Sequence, residues 1–381
     1  MSASRLPLLE PELTAREATY LSECVTSGYV SSVGPLVPRF EETIAEILGV
    51  KHAVACVSGT AALHLSLAAL DLPATSEVFV SDLTFIATAN AASYLGLRPV
   101  LVDSEPQSWN MDPSAVADEL ARRSARGERM PGAIIPVHIL GYPADVGRIL
   151  AVADAHGIPV IEDAAGAIGA EWDSGPLSGQ MAGTAGLAGC YSFNGNKLIT
   201  TGGGGLVASE DAAFATRVRH LSTQARASQD EYDHDMIGYN YRLTNIAAAL
   251  GLAQLERFDS LLKRRRAVAE RYDQAFAGLS GLTLPPQGPH KRSGWLYAVL
   301  FDDHETRDRV RLSLTEADID ARPIWRPLHL QRPHADARLV GSGAIAEDLW
   351  HRALALPSSS TLEQTSQDRV SDIVVSCILA D

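Results

Sequence analysis

From residue 53 to residue 161 short apolar runs and helical patterns take strict turns, and this alternation restricts the fold more than any other property of the sequence. Strands are expected at Ala53 to Val57, Val78 to Val80, Val100 to Val102, Ala133 to Val137 and Pro159 to Ile161. Helices are expected between them at Ala61 to Leu70, Ala87 to Leu95, Ala115 to Ala121 and Val146 to His156. Just upstream, Phe40, Ile44, Ile47 and Leu48 lie at helix spacing, with Gly49 as a C-cap. Strand and helix in turn predict an α/β fold whose mostly parallel sheet is covered on both faces. Ligands on such sheets sit at the carboxyl ends of the strands.

The pattern changes near residue 246, where IAAALGLAQLERFDSLLKRRRAVAERYDQAF reads as one long or kinked helical stretch. A hinge placed there divides the chain into a large domain, residues 1–250, and a smaller α+β C-terminal domain, residues 251–381. In the second, LPPQGPHKRSG leads to a strand from Trp295 to Phe301, followed by a helix, the ARPIW segment and a terminal helix. No stretch approaches the roughly 20 uninterrupted apolar residues of a membrane span, and a net charge of −14 argues against a nucleic-acid surface. The N-terminus lacks the charged start and apolar run of a secretory signal. Cys24, Cys56, Cys190 and Cys377 show no metal-ligand spacing, as expected of reduced thiols in a cytoplasmic protein with no metal site.

Only four lysines are present: Lys51, Lys197, Lys263 and Lys291. Lys51, Lys263 and Lys291 read as solvated surface amines. Lys197 lies in GCYSFNGNKLITTGGGG, between an apolar strand and four consecutive glycines. A lysine amine must lose its proton to condense with an aldehyde, and burial or a neighbouring cation favours that loss. By its local sequence alone, Lys197 could equally cap a loop carbonyl.

Three neighbouring segments bear on the choice. In CVSGTAALHLSL, Gly59 permits close approach, Thr60 supplies a hydroxyl and the helix start favours an anion, although Ser58 and Thr60 are also ordinary capping residues. In IPVIEDAAGAIGA, a buried strand ends in Glu162 and Asp163, and a carboxylate there faces the ligand crevice, although it could also be a helix N-cap or a metal ligand, the latter disfavoured because no His or Cys is near in sequence. Pyridoxal 5'-phosphate needs such a group, because an acid paired with the pyridine nitrogen keeps the ring an electron sink. In SDLTFIATANAA, Phe85 could stack on a flat ring, while a core phenylalanine is the commoner reading. Gly202 to Gly205 lack the GK[ST] ending of a phosphate-binding P-loop and run into a strand, so they read as a place where backbone passes close to a cofactor or a partner subunit.

In this order YVSSVGPLVPRFE, VSGTAALHL, TFIATAN, PVHILGYPAD, VIEDAAGAIGA, YSFNGNKLITTGGGG, GYNYRLTNIAAALGLAQLE and RPIWRPLHLQ, the chain resembles the DegT/DnrJ/EryC1/StrS sugar aminotransferases over nearly its whole length. The resemblance implies the fold-type-I architecture and a homodimer with shared active sites. It makes Lys197 the Schiff-base lysine, Asp163 the partner of the pyridine nitrogen and Phe85 the stacking aromatic. It places Gly59, Thr60 and Ser192 at the cofactor phosphate, with Asn240 reaching it from the other subunit. Many members carry Gln or Glu three residues after the aspartate. Here that residue is Gly166, so a side-chain contact to that face of the cofactor is missing or replaced.

Within the family, SFNGNKLITTGGGG, STQAR and RPIWRPLHLQ are most similar to the branch that aminates a UDP- or GDP-linked 4-keto-6-deoxy-N-acetylhexosamine with glutamate as donor. That similarity implies a sugar-nucleotide site formed by Tyr29, Val30, Ser31 and Ser32 with Trp325, Arg326 and His329. Arg326 could pair with a diphosphate and Trp325 could stack, although such residues beside prolines occur on many surfaces. A dehydratase of the same family is the alternative enzyme; in that branch the lysine is replaced by His, and Lys197 tells against it. A cofactor-bound regulator without turnover is the alternative outside enzymes, and the Lys197 and Asp163 pair tells against that.

Overall fold

The computed structural model describes residues 5–228 and 230–379. Its centre is a sheet of eight strands in two hydrogen-bonded groups. One runs His52–Cys56, Gly205–Ser209, Ala188–Ser192, Ile161–Asp163, and the other runs Ala133–Ile135, Glu77–Ser81, Arg98–Val102, Arg338–Val340. The groups meet through parallel bridges of Ile134 with Val160 and of Val137 with Asp163. Gly205–Ser209 alone runs antiparallel to its neighbours. Val78, Phe79 and Val80 are fully buried, as expected of a strand covered on both faces.

The alternation therefore specifies the sheet, with most boundaries displaced by a few residues. The last expected strand, Pro159 to Ile161, forms at Ile161–Asp163 instead. Proline has no N–H for a ladder, and Pro159 contributes only its carbonyl, which accepts from Ile134 at 3.0 Å. The shift puts Asp163 at the strand's end, in register with Cys190 and two residues short of Ser192 at the end of the next strand.

The stretch after residue 244 forms two helices, Asn245–Leu255 and Phe258–Phe276. No proline or glycine causes the break. It falls where Glu256 binds Arg16 and Tyr20, and Arg257 binds Glu12 and Glu17. The first helix buries Ala248, Leu252 and Leu255 in the same core as Phe40 and Ile44 of the Leu36–Leu48 helix. The second turns Tyr272 and Phe276 toward an antiparallel sheet of Arg322–Pro323, Ala353–Leu356, Tyr297–Phe301 and Leu282–Thr283. That sheet also packs against the helices His304–Glu316 and Gln364–Leu379 through Val310, Leu314, Val370 and Val374.

Two segments link the halves of the chain. Leu6 exchanges backbone hydrogen bonds with Asp318 and Asp320, and Leu8 and Leu9 pack against the apolar cluster that holds Trp295 and Ile324. Arg338–Val340 leaves the C-terminal portion to become the edge of the central sheet. Residues from both ends of the chain therefore reach the carboxyl ends of the central strands. Among the described residues, no helix is long and apolar enough to cross a membrane.

Candidate active site

A cavity of about 690 Å³ opens at those carboxyl ends. It receives Ser58, Gly59 and Thr60 after the first strand, Thr84 and Phe85 after the second, His138 after Ala133–Ile135, Asp163 and Gly166, Ser192, and Lys197. Leu8 and Leu9 of the N-terminal segment close it together with Trp295, Arg322 and Trp325 of the C-terminal portion.

Ser58 caps the Gly59–Ala69 helix, its Oγ accepting from the Ala61 N–H at 3.0 Å. The Gly59 and Thr60 N–H groups have no acceptor within the helix and add to its positive end. A Cβ on Gly59 would lie 2.8 Å from the Ser192 Cβ, so the helix start and Ser192 form one tight cradle. A Cβ on Gly205 would lie 2.3 Å from the Ser58 carbonyl. The glycine run thus lets its strand pass against the cradle's backbone, and Gly203 and Gly204 line the cavity.

Asp163 is buried, and its Oδ2 accepts from Thr88 Oγ1 at 2.7 Å while its Oδ1 accepts from the Ala165 N–H at 3.1 Å. Burial pushes this carboxyl up, against the opposing pull of those hydrogen bonds and of Lys197. Lys197 borders the cavity and so is only half-buried as a residue, but protein packs densely around its amine. That desolvation pushes the amine down to about 7, against the pull of Asp163. The amine lies 3.2 Å from the centre of the Trp295 ring. The other three lysines are exposed, Lys51 pairing with Glu210 and Lys291 with Glu171.

Phe85 is 57% exposed, so it belongs to the cavity wall and not to the core. An anion cradle, a ring-sized face at Phe85, a buried carboxylate and a lysine amine of lowered pKa together suit pyridoxal phosphate. The set offers a partner to its phosphate, to its ring nitrogen and to its aldehyde.

Of the residues singled out in the sequence, Gly59, Thr60, Phe85, Asp163, Ser192, Lys197 and Trp325 converge on this cavity. Asn240 does not line it; it is exposed and forms an antiparallel bridge with Thr223. Tyr29, Val30, Ser31 and Ser32 are exposed outside it, fastened by Asn245, which donates from Nδ2 to the Tyr29 carbonyl at 2.9 Å and from its backbone to that of Ser31. Arg326 points away from the cavity, with its guanidinium 5.4 Å from the Trp350 ring centre. His329 is clasped between Asp82 and Glu347, which occupies both ring nitrogens.

Trp295, Thr88 and Arg322 were not singled out by sequence. Only the missing side chain at Gly166 hinted at Trp295, and nothing local marked the other two. Glu162 faces away from Asp163, as strand alternation requires. Its carboxylate accepts from His138 Nε2 at 2.9 Å and from the N–H groups of Gly183, Ala185 and Gly186. Glu162→Ala strands these buried donors, so it should cost on the order of 3–5 kcal/mol in denaturant unfolding. A loss under about 1 kcal/mol would show that the carboxylate is not the clamp.

A family model described as the DegT/DnrJ/EryC1/StrS aminotransferase family matches residues 11–375. EpsN of Bacillus subtilis (strain 168) is 40% identical over 97% of this chain and 95% of its own. A GDP-perosamine synthase of Caulobacter vibrioides is 38% identical over 96% of each. Among solved structures, the aminotransferase TlmJ of Streptoalloteichus hindustanus superimposes with a TM-score of 0.90 at 30% identity, over 99% of this chain and 100% of its own. DesV of S. venezuelae does so with a TM-score of 0.88 at 32% identity, over 99% of each.

Proposed function

The chain belongs to the DegT/DnrJ/EryC1/StrS aminotransferase family and is a pyridoxal-phosphate-dependent sugar aminotransferase, and we propose that it moves the amino group of glutamate to the 4-keto carbon of a nucleotide-linked 4-keto-6-deoxyhexose. The observation that carries this reading is the convergence of Lys197, Asp163, Phe85 and the Ser58 to Thr60 cradle on one cavity. Its volume of about 690 Å³ leaves room for a sugar beside the cofactor.

In this reading Gly59, Thr60 and Ser192 hold the phosphate, Phe85 covers the ring and Asp163 holds a proton at the ring nitrogen. When bound, the cofactor supplies an aldehyde that condenses with amines and a ring that accepts the electron pair left when a proton departs. Lys197 is the anchor, and once free it carries a proton from the donor's α-carbon. With the keto sugar it returns a proton in the reverse direction. A pKa near neutrality lets one amine both take and give that proton.

For the sugar nucleotide, Trp325 offers a stacking face within the cavity and Arg322 a guanidinium that lines it, with Arg326 close by in sequence but outside the cavity. Tyr29 to Ser32 and Asn240 serve in this reading across a homodimer interface. The exposed side chains of Tyr29, Val30, Val33, Met236 and Ile237 support such an interface. UDP-linked 4-keto-6-deoxy-N-acetylglucosamine is the first substrate to test. A GDP-linked keto sugar is the second reading, favoured by likeness to GDP-perosamine synthases of 35–38% identity.

The loaded enzyme should release stoichiometric 2-oxoglutarate from glutamate, and then aminate one of the two keto-sugar nucleotides with a kcat/KM at least roughly tenfold above the other. Mass spectrometry of the sugar nucleotide reads the second step. Formation of 2-oxoglutarate with neither sugar aminated would overturn the sugar class, and no 2-oxoglutarate would overturn glutamate as donor.

A further inference from the structure

We propose that Trp295 is the positioning residue for the Lys197 amine, holding it on the indole face in space that a side chain at position 166 would otherwise fill. A Cβ on Gly166 would lie 2.0 Å from Trp295 Cε3 and 2.5 Å from Cζ3. The glycine is therefore what admits the ring.

Two contacts hold the indole and a third holds its backbone. Its Nε1 donates to the Asn196 carbonyl at 3.0 Å, one residue before the lysine, so the ring and the lysine loop are tied together. Ser293 Oγ donates to the Gly166 carbonyl at 2.8 Å and accepts from the Trp295 N–H at 3.2 Å. Trp325 stacks behind, with ring centres 5.9 Å apart and planes 26° from parallel.

Against this ring the amine stands 3.2 Å from the centroid, where the negative face of an aromatic system attracts an ammonium. Burial opposes the charge on Lys197, and Asp163 favours it. The indole face joins Asp163 in keeping part of the population protonated near neutral pH. Among the described residues, the remaining titratable or charged groups on the cavity are His138, whose Nε2 is engaged by Glu162, and Asp320 with Arg322, which lie 3.5 Å from each other. Trp295 thus fixes both where the free amine rests and how readily it holds a proton.

This inference rests on the reading of Lys197 as the cofactor lysine, and the test separates the two. Full-length enzyme saturated with pyridoxamine phosphate, in which Lys197 is a free amine, is labelled with acetic anhydride across a pH series. Peptide mass spectrometry follows Lys197, with the exposed Lys263 as internal standard. Trp295→Leu should lower the labelling midpoint of Lys197 by about one pH unit, and Trp295→Phe, which keeps a ring face, should retain most of the wild-type value. Trp295→Leu should also cut kcat with little change in KM for glutamate, and Trp295→Phe should recover most of it. Gly166→Ala, which pushes the indole aside, should reproduce the leucine variant, and combining the two should add nothing further.

If the leucine variant does not fold, the comparison of wild type, Trp295→Phe and Gly166→Ala carries the same test. Identical titration of Lys197 in all folded variants would overturn the proposal. Wild-type enzyme loaded with pyridoxal phosphate and reduced with borohydride should carry the label on Lys197. A label on another lysine would overturn both readings, and a label on Lys197 with an unmoved titration would overturn this one alone.

Discussion

Lys197→Ala should lower the rate of both half-reactions by at least roughly 10³-fold, within the span that proton transfer by a positioned side chain supplies. Among the described residues no other lysine can take its place. Lys51, Lys263 and Lys291 are exposed and do not line the cavity, so borohydride reduction of the variant with pyridoxal phosphate should leave no stoichiometric label on any peptide. The loss should not reflect unfolding. In the cofactor-free protein the amine titrates near 7, well below its ordinary value, so folding deprotonates it wherever the unfolded chain would keep it charged. Stability from this group therefore rises with pH from about 7 towards 10, and below 7 the fold bears the whole cost of burying the charge. Lys197→Met should accordingly be more stable than the parent at pH 6, by a few kcal/mol at most, and the difference should shrink as pH rises. Thermal unfolding of the two proteins at pH 6 and pH 9 checks the sign. A folded Lys197→Ala enzyme that turns over within about tenfold of wild type would remove Lys197 from the chemistry.

The parts of this site that were legible in the sequence are those whose cause is local. Asp163 could be placed because a parallel strand delivers its last residue to the ligand crevice. Gly59 and Thr60 could be placed because a helix start after a strand has a recognisable composition. The parts that were not legible depend on partners far along the chain. Asp82 and Glu347 clasp His329, and Asp82 lies 247 residues away. No spacing within RPIWRPLHLQ announces that clasp. The same segment sends Trp325 to the cavity and Arg326 out to Trp350, a division set by its approach to Trp295 and not by residue type. Phe85 shows the reverse case. A phenylalanine after a buried strand reads as core, yet Thr88 is drawn to Asp163 and the turn leaves the aromatic ring at the cavity wall. The helical stretch after residue 244 was legible as helix but not as two helices, because its break comes from Glu256 and Arg257 binding the N-terminal helix Ala15–Ser27 and the chain just before it.

Asp163→Asn should be the second most damaging change in the site, costing about 10²–10³-fold in kcat, the scale on which one preorganised electrostatic partner acts. Asparagine keeps the shape of the side chain. Its Oδ1 can still accept from Thr88 or from the Ala165 N–H, so the fold should be preserved and cofactor binding should weaken only modestly. What it cannot do is hold a proton against a basic ring nitrogen while carrying the opposing charge. A second consequence separates this from a packing defect. Asp163 pulls the Lys197 pKa upward, so its neutralisation should let the amine fall below its present value of about 7. The same acetic anhydride titration reads that shift. Loss of kcat together with a downward shift of Lys197 identifies the charge of Asp163 as the working element. Loss of kcat with an unmoved Lys197 would mean that the carboxylate acts on the cofactor alone, and a kcat within about threefold of wild type would remove Asp163 from the mechanism.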